Sequence, residues 1–169
     1  MYAPTLPYQL PLGALIPRGT RNLVAACKNL GVTHLANGAT RLQPVEWAIG
    51  EAAGTLAAYC LQTRTTPHAV RRDQAHTRAL QARLLQRGAP LAWTLDVPPE
   101  HPLFASAQRL VLAGAILPGS DRFGRLTLDL SAPTTAAERD RLVELGVPRT
   151  RARTGEDACA AWTEGDATG

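Results

Sequence analysis

Between positions 33 and 47 the chain reads Thr-His-Leu-Ala-Asn-Gly-Ala-Thr-Arg-Leu-Gln-Pro-Val-Glu-Trp. The groups here that could do chemistry are His34, Arg41 and the backbone following Pro44. Proline suits the first position of a helix, where no amide hydrogen is needed, and the residue before it, Gln43, is a poor cap. The amides of Val45, Glu46 and Trp47 are then left without a side-chain partner at the positive end of a helix dipole, a setting for an electron-rich oxygen. Glu46 puts a carboxylate in that first turn, so a fully charged phosphate fits less well than a carbonyl that gains negative charge transiently. Gly38 lets a ligand or another segment approach the backbone. His34 is either a proton donor or ligand contact, or a loop histidine serving a backbone carbonyl. Arg41 either clamps a phosphate or pairs with a carboxylate. No catalytic triad, carboxylate pair or metal-ligand spacing occurs, and His68, His76 and His101 stand isolated, as expected of exposed residues.

The elements that must position these groups follow from periodicity. The first twenty residues carry Pro4, Pro7, Pro11 and Pro17 and read as extended. The apolar run from Asn22 to Cys27 suits a strand buried on both faces, followed by a loop from Asn29 to Gly38. A helix runs from Pro44 to about Gln62, with Val45, Ile49, Ala52, Ala53, Leu56, Ala57 and Cys60 on one stripe. Gly50 and Gly54 beside that stripe imply close backbone packing, since each costs a helix about 1 kcal/mol against alanine. Further helices are expected over 70–87, stopped by Gly88, over 101–113, stopped by Gly114, and from a Thr135/Glu138 capping box to Gly146. Leu91 to Val97 reads as a short extended piece. The tail after Arg149 reads as poorly ordered, apart from one turn near Asp157–Trp162.

With 169 residues, 45% of them hydrophobic, the chain holds one domain or two small ones. The net charge of +4 comes from scattered arginines, densest at Arg149, Arg151 and Arg153, with no aromatics between them. That argues against a nucleic-acid partner. Cys27, Cys60 and Cys159 fit neither a disulfide framework nor a metal site and suit a reducing compartment. The start lacks the pattern of a signal peptide, and no apolar stretch approaches the ~20 residues needed to span a bilayer. A cytoplasmic location is expected.

The segments Pro7-Tyr-Gln-Leu-Pro-Leu-Gly-Ala-Leu-Ile-Pro17, Asn22-Leu-Val-Ala-Ala26, Thr33-His-Leu-Ala-Asn-Gly-Ala-Thr-Arg41 and Gln43-Pro-Val-Glu-Trp-Ala-Ile-Gly-Glu-Ala-Ala-Gly54 resemble, in this order, the closing part of FAD-dependent oxidoreductases with a glutathione-reductase-like architecture. The resemblance implies an α/β fold class in a mostly helical fragment: the last strand and flavin-facing helix of a Rossmann-like FAD domain, then a small helical C-terminal region. Leu23–Cys27 would be that strand and deliver Lys28 and Asn29 to the cofactor. The loop carrying His34, Gly38, Ala39 and Arg41 would run beside the isoalloxazine ring. The helix with Pro44, Val45, Glu46 and Trp47 would aim its amides at the pyrimidine carbonyl, which gains negative charge when the flavin is reduced.

Two departures accompany the resemblance. Cys27-Lys28 stands where many relatives have Gly-Arg, and G-x-G-x-x-G, which holds the pyrophosphate in such enzymes, is absent. The chain therefore reads as a fragment, or as one whose dinucleotide-binding portion comes from another polypeptide. The implied organisation is a closing segment of the FAD domain over 1–66, a helical region over 67–148, S-layer-homology-like from residue 96, and a flexible tail over 149–169.

Three functions follow: part of a flavoenzyme passing a hydride or electron pair between an organic substrate and FAD, a non-catalytic fragment or partner subunit completing another chain's flavin site, or a small helical interaction domain. The isolated chain is expected to be inactive and, with uncovered apolar surface, marginally stable or oligomeric. The substrate, electron acceptor and catalytic base are not fixed by the sequence. His34 is the one local candidate for proton chemistry.

Overall fold

The computed structural model describes residues 7–120 and 122–166. Pro4 lies outside them. The chain divides into two compact units, one over Gln9–Ala89 and one over residues 90–166 with Pro7 and Tyr8.

The first unit is helical. A 3-10 turn at Leu12–Leu15 interrupts the start expected to be extended. Then come α1 (His34–Thr40), α2 (Gln43–Thr63), α3 (Pro67–Arg72) and α4 (Gln74–Gln86). The 22–27 run forms no strand, contrary to expectation. Only Ala25 is buried while Leu23 is 52% exposed, and the run is tied instead by single bonds: Ala25 N–H donates to the Leu15 carbonyl (2.8 Å) and Gly31 N–H to that of Ala14 (2.8 Å). A strand buried on both faces needs neighbours on both sides, and this unit has none among its described residues. The second half of the expected loop to Gly38 is α1, because the Thr33 hydroxyl accepts the Ala36 N–H (3.3 Å) and caps it.

Helix α2 runs almost as periodicity predicts. Its C-cap, Arg64, is left-handed (φ 53°) and donates its N–H to the Cys60 carbonyl. The buried face holds Ile49, Ala53, Leu56 and Cys60, as expected, with Thr55 and Tyr59 in place of Ala57. Its first half packs on a core of Leu15, Ala25 and Leu30, and burying a side chain such as Ile49 contributes about 1.5–3 kcal/mol. The single helix expected over 70–87 is broken at Asp73, which terminates α3 and caps α4 by accepting the Ala75 N–H (2.8 Å). His68, His76 and His101 are half-buried rather than exposed.

The second unit holds α5 (Phe104–Leu112), β1 (Gly119–Ser120) paired antiparallel with β2 (Leu126–Thr127), α6 (Ala136–Glu144) and α7 (Gly155–Asp166). The residues 91–97 form no strand. They are held by Gln108, itself 1% exposed, whose amide accepts the N–H groups of Leu91 (2.9 Å) and Ala92 (2.6 Å) and donates to the Ala92 carbonyl (2.7 Å). The expected capping box of α6 forms. Helices α4, α5 and α6 stop by one device: Gly88, Gly114 and Gly146 take positive φ, and the residue after each returns its N–H to the carbonyl of Leu84, Leu110 or Leu142. The tail is more ordered than expected. Thr154 caps α7 by accepting the Asp157 N–H (3.1 Å), and Ala158 and Cys159 are fully buried where α7 packs on α5.

Across both units the described residues comprise seven α-helices and one two-stranded sheet. The chain is thus mostly helical.

Candidate functional site

The start of α2 is uncapped. Its N-cap is Leu42, one residue earlier than expected, and no side chain accepts from the first turn. The Glu46 N–H donates to the Leu42 carbonyl (2.9 Å), and Trp47 is the next to enter the helical ladder. The free amides are therefore those of Gln43 and Val45, and not the expected set from Val45 to Trp47, because the helix begins one residue sooner. An uncapped start on a helix of 21 residues can take an electron-rich atom from elsewhere.

Glu46 turns back onto the preceding loop. Its Oε2 accepts from the Cys27 thiol (3.6 Å), and its Oε1 lies 3.5 Å from Lys28 Nζ. Oε1 is buried and makes no hydrogen bond among the described residues, so its compensation there is this long charge contact. With the Lys28 side chain 56% exposed, solvent screening keeps the pair's contribution below about 1 kcal/mol. Asn29 holds the same loop, its Oδ1 accepting the Cys27 N–H (3.3 Å). A Cβ at Gly50 would stand 3.5 Å from the Ala26 carbonyl oxygen, so the chain passes close to α2 one turn beyond Glu46. Gly54 faces open space, against the close packing expected of it.

Lys28, Asn29 and Glu46 are thus brought together. Val45 packs partly into the core, and Pro44 is exposed. Trp47 (78%) and Leu42 (58%) flank the helix start as exposed apolar groups. His34 lies in the first turn of α1, Gly38 and Ala39 lie within α1, and Arg41 is its C-cap. The His34 and Arg41 side chains are exposed and make no hydrogen bond or ion pair among the described residues. Cys27 was missed as part of the cluster: its signal in the sequence was the departure from glycine, which reads as a gap rather than a thiol donor. No group of three metal-ligating side chains occurs among the described residues, and no helix there is long and apolar enough to cross a membrane.

This arrangement, a loop pinned beneath an uncapped helix start with exposed apolar neighbours, meets a sequence comparison at the same place. Residues 1–84 match the model of the FAD dependent oxidoreductase family. The match indicates FAD as the cofactor, and it covers the helix start, its pinned loop and nearly all of α4. No curated protein and no solved structure gives a significant match to the chain.

Proposed function

We propose that this chain is the closing part of an FAD-dependent oxidoreductase with glutathione-reductase-like, Rossmann-type architecture. In the intact protein a hydride or electron pair passes between an organic substrate and FAD. The observation that carries this reading is the uncapped start of α2 inside the family-matched segment. Bound there, FAD supplies the two-electron chemistry. The Val45 N–H and the positive end of α2 hold the pyrimidine carbonyl and favour negative charge on it. Glu46 does not oppose that charge as strongly as its position suggests, because it is drawn back by Cys27 and Lys28. Trp47 and Leu42, exposed beside the helix start, are the apolar groups that a bound flavin ring would cover. His34, Gly38, Ala39 and Arg41 line the approach from α1, with His34 as the group able to give or take a proton. Lys28 and Asn29 act by fixing the loop beside the cofactor.

Residues 67–148 form, in this reading, a small helical C-terminal region, S-layer-homology-like from residue 96. The cysteines, which form no disulfide among the described residues, suit a cytoplasmic protein.

The test exploits the missing cap. In Leu42→Ser the new hydroxyl can accept the Val45 N–H, because proline leaves position 44 without one. The variant should gain about 1 kcal/mol of stability and lose affinity for flavin. Wild-type chain titrated with FAD should shift the visible flavin bands at equilibrium and release the flavin on desalting. No spectral shift in the wild type, or unchanged affinity in Leu42→Ser, overturns the assignment of this helix start.

A further inference from the structure

Beyond α2, away from the uncapped start, the first unit contains a surface cleft of about 730 Å³ whose walls include Arg21, Thr66, His68, Arg72, Asp73 and Gln74. We propose that it binds a phosphate-bearing small molecule. Its volume lies within the ~300–1,000 Å³ of small-ligand sites. Arg21 and Arg72 line it without an ion pair or hydrogen bond among the described residues. Both residues are exposed, so their side chains are accessible to an anion entering the cleft, and their planar forks match phosphate oxygens.

The remaining wall residues leave the cleft with a positive excess, two arginines against one carboxylate. Asp73 is the only carboxylate among them, and its Oδ1 is engaged by the Ala75 N–H at 2.8 Å, capping α4. The Thr66 oxygen accepts the Ala69 N–H at 3.3 Å, which leaves the hydroxyl proton to donate. Gln74 and His68 add further donors. The neighbouring Arg71 is committed elsewhere: its Nε would lie 2.8 Å from a Cβ at Gly13. A phosphate group has oxygens enough for both guanidinium forks, whereas the two oxygens of a carboxylate fill one.

The cleft is separate from the flavin assignment. Thr66 to Gln74 follow the C-terminal end of α2, which at 1.5 Å per residue is about 30 Å from the start of that helix.

The experiment is calorimetric titration of the full chain with glycerol 3-phosphate at constant ionic strength. Saturable binding is expected, weakened about tenfold or more in Arg72→Gln and in Arg21→Gln. Acetate should bind far more weakly, and Arg87→Gln, outside the cleft, should match the wild type. Circular dichroism checks folding, and Arg21, outside every helix, carries the test if Arg72→Gln unfolds. No saturable binding, acetate as good as the ester, or an equal loss in Arg87→Gln overturns the proposal.

Discussion

The hydroxyl of Tyr59 and Nδ1 of His76 lie 2.7 Å apart, joining α2 to α4, with their rings edge to face at 5.7 Å. The Arg83 guanidinium sits 4.7 Å from the centre of the Tyr59 ring. One tyrosine thus shares a hydrogen bond, an aromatic contact and a cation–π contact with a single partner helix. Tyr59→Phe keeps the ring contacts and removes the hydroxyl, so urea unfolding should show a loss of about 1 kcal/mol. Tyr59→Ala should cost several times more, about 3–5 kcal/mol. Equal losses in the two variants would show that packing contributes nothing beyond the hydrogen bond.

Thr55 offers the opposite case. Its hydroxyl is buried on α2 and has no partner among the described residues. Thr55→Val preserves shape and removes an unsatisfied polar group, so stability should rise by about 1 kcal/mol. A lower midpoint in thermal unfolding would mean that the hydroxyl is satisfied after all.

Glu138 makes stability depend on acid. Partial burial pushes its carboxyl up, but the N–H groups of Thr135 and Leu117 and the Thr135 hydroxyl outweigh this and hold it below the ordinary carboxylate range. A depressed folded value means that the stabilisation is present above the unfolded pKa, about 4.3 for glutamate. It is lost as pH falls through the folded value. Thr135→Ala should cost about 1 kcal/mol at neutral pH and flatten the acid limb of the stability curve. An acid limb identical to the wild type would remove Glu138 from the account.

The three cysteines should separate chemically. Burial pushes the Cys159 thiol up to about 11, opposed by a bond with Ser106 and reinforced by Glu156. Burial also raises Cys60, while Cys27 is exposed. A disulfide reagent at mild alkaline pH should therefore label Cys27 first and the other two only after unfolding. Glu46→Gln should speed that first reaction, since the carboxylate that accepts from the thiol is gone. For Cys159 the unfolded thiol ionises first as pH rises. The fold should therefore lose stability between about 8.5 and the folded value, and Cys159→Ala should reduce that slope, leaving the part carried by the raised Cys60 thiol. A slope undiminished in the variant would assign it to another group.

The long helix, the capping box and the glycine stops were legible because each is a local pattern. Pro44, the Thr135/Glu138 pair and Gly88, Gly114 and Gly146 act through their nearest neighbours in the chain. The 22–27 run was misread because an apolar run signals burial but not who pairs with it. The break at Asp73 was missed because helical periodicity continues across it, and only the Asp73–Ala75 bond reveals the second start. The last helix was missed because its buried face uses Ala158 and Cys159, whose small side chains resemble a polar linker until α5 lies against them. At the candidate site, the uncapped start was readable from Pro44 and its neighbours. The hold of Cys27 and Lys28 on Glu46 spans nearly twenty residues, and no local signal carries it.

Trp47 stands 78% exposed in the first turn of α2, which makes it a built-in lamp at the place where the cofactor is expected. Indole emission overlaps flavin absorption, so occupancy of that helix start should dim the protein's own fluorescence, and Trp47→Phe should remove most of the change. Trp93 and Trp162 belong to the second unit, so comparing Trp47→Phe with the wild type separates their signal from that of Trp47, and the protein would report its own loading without a dye.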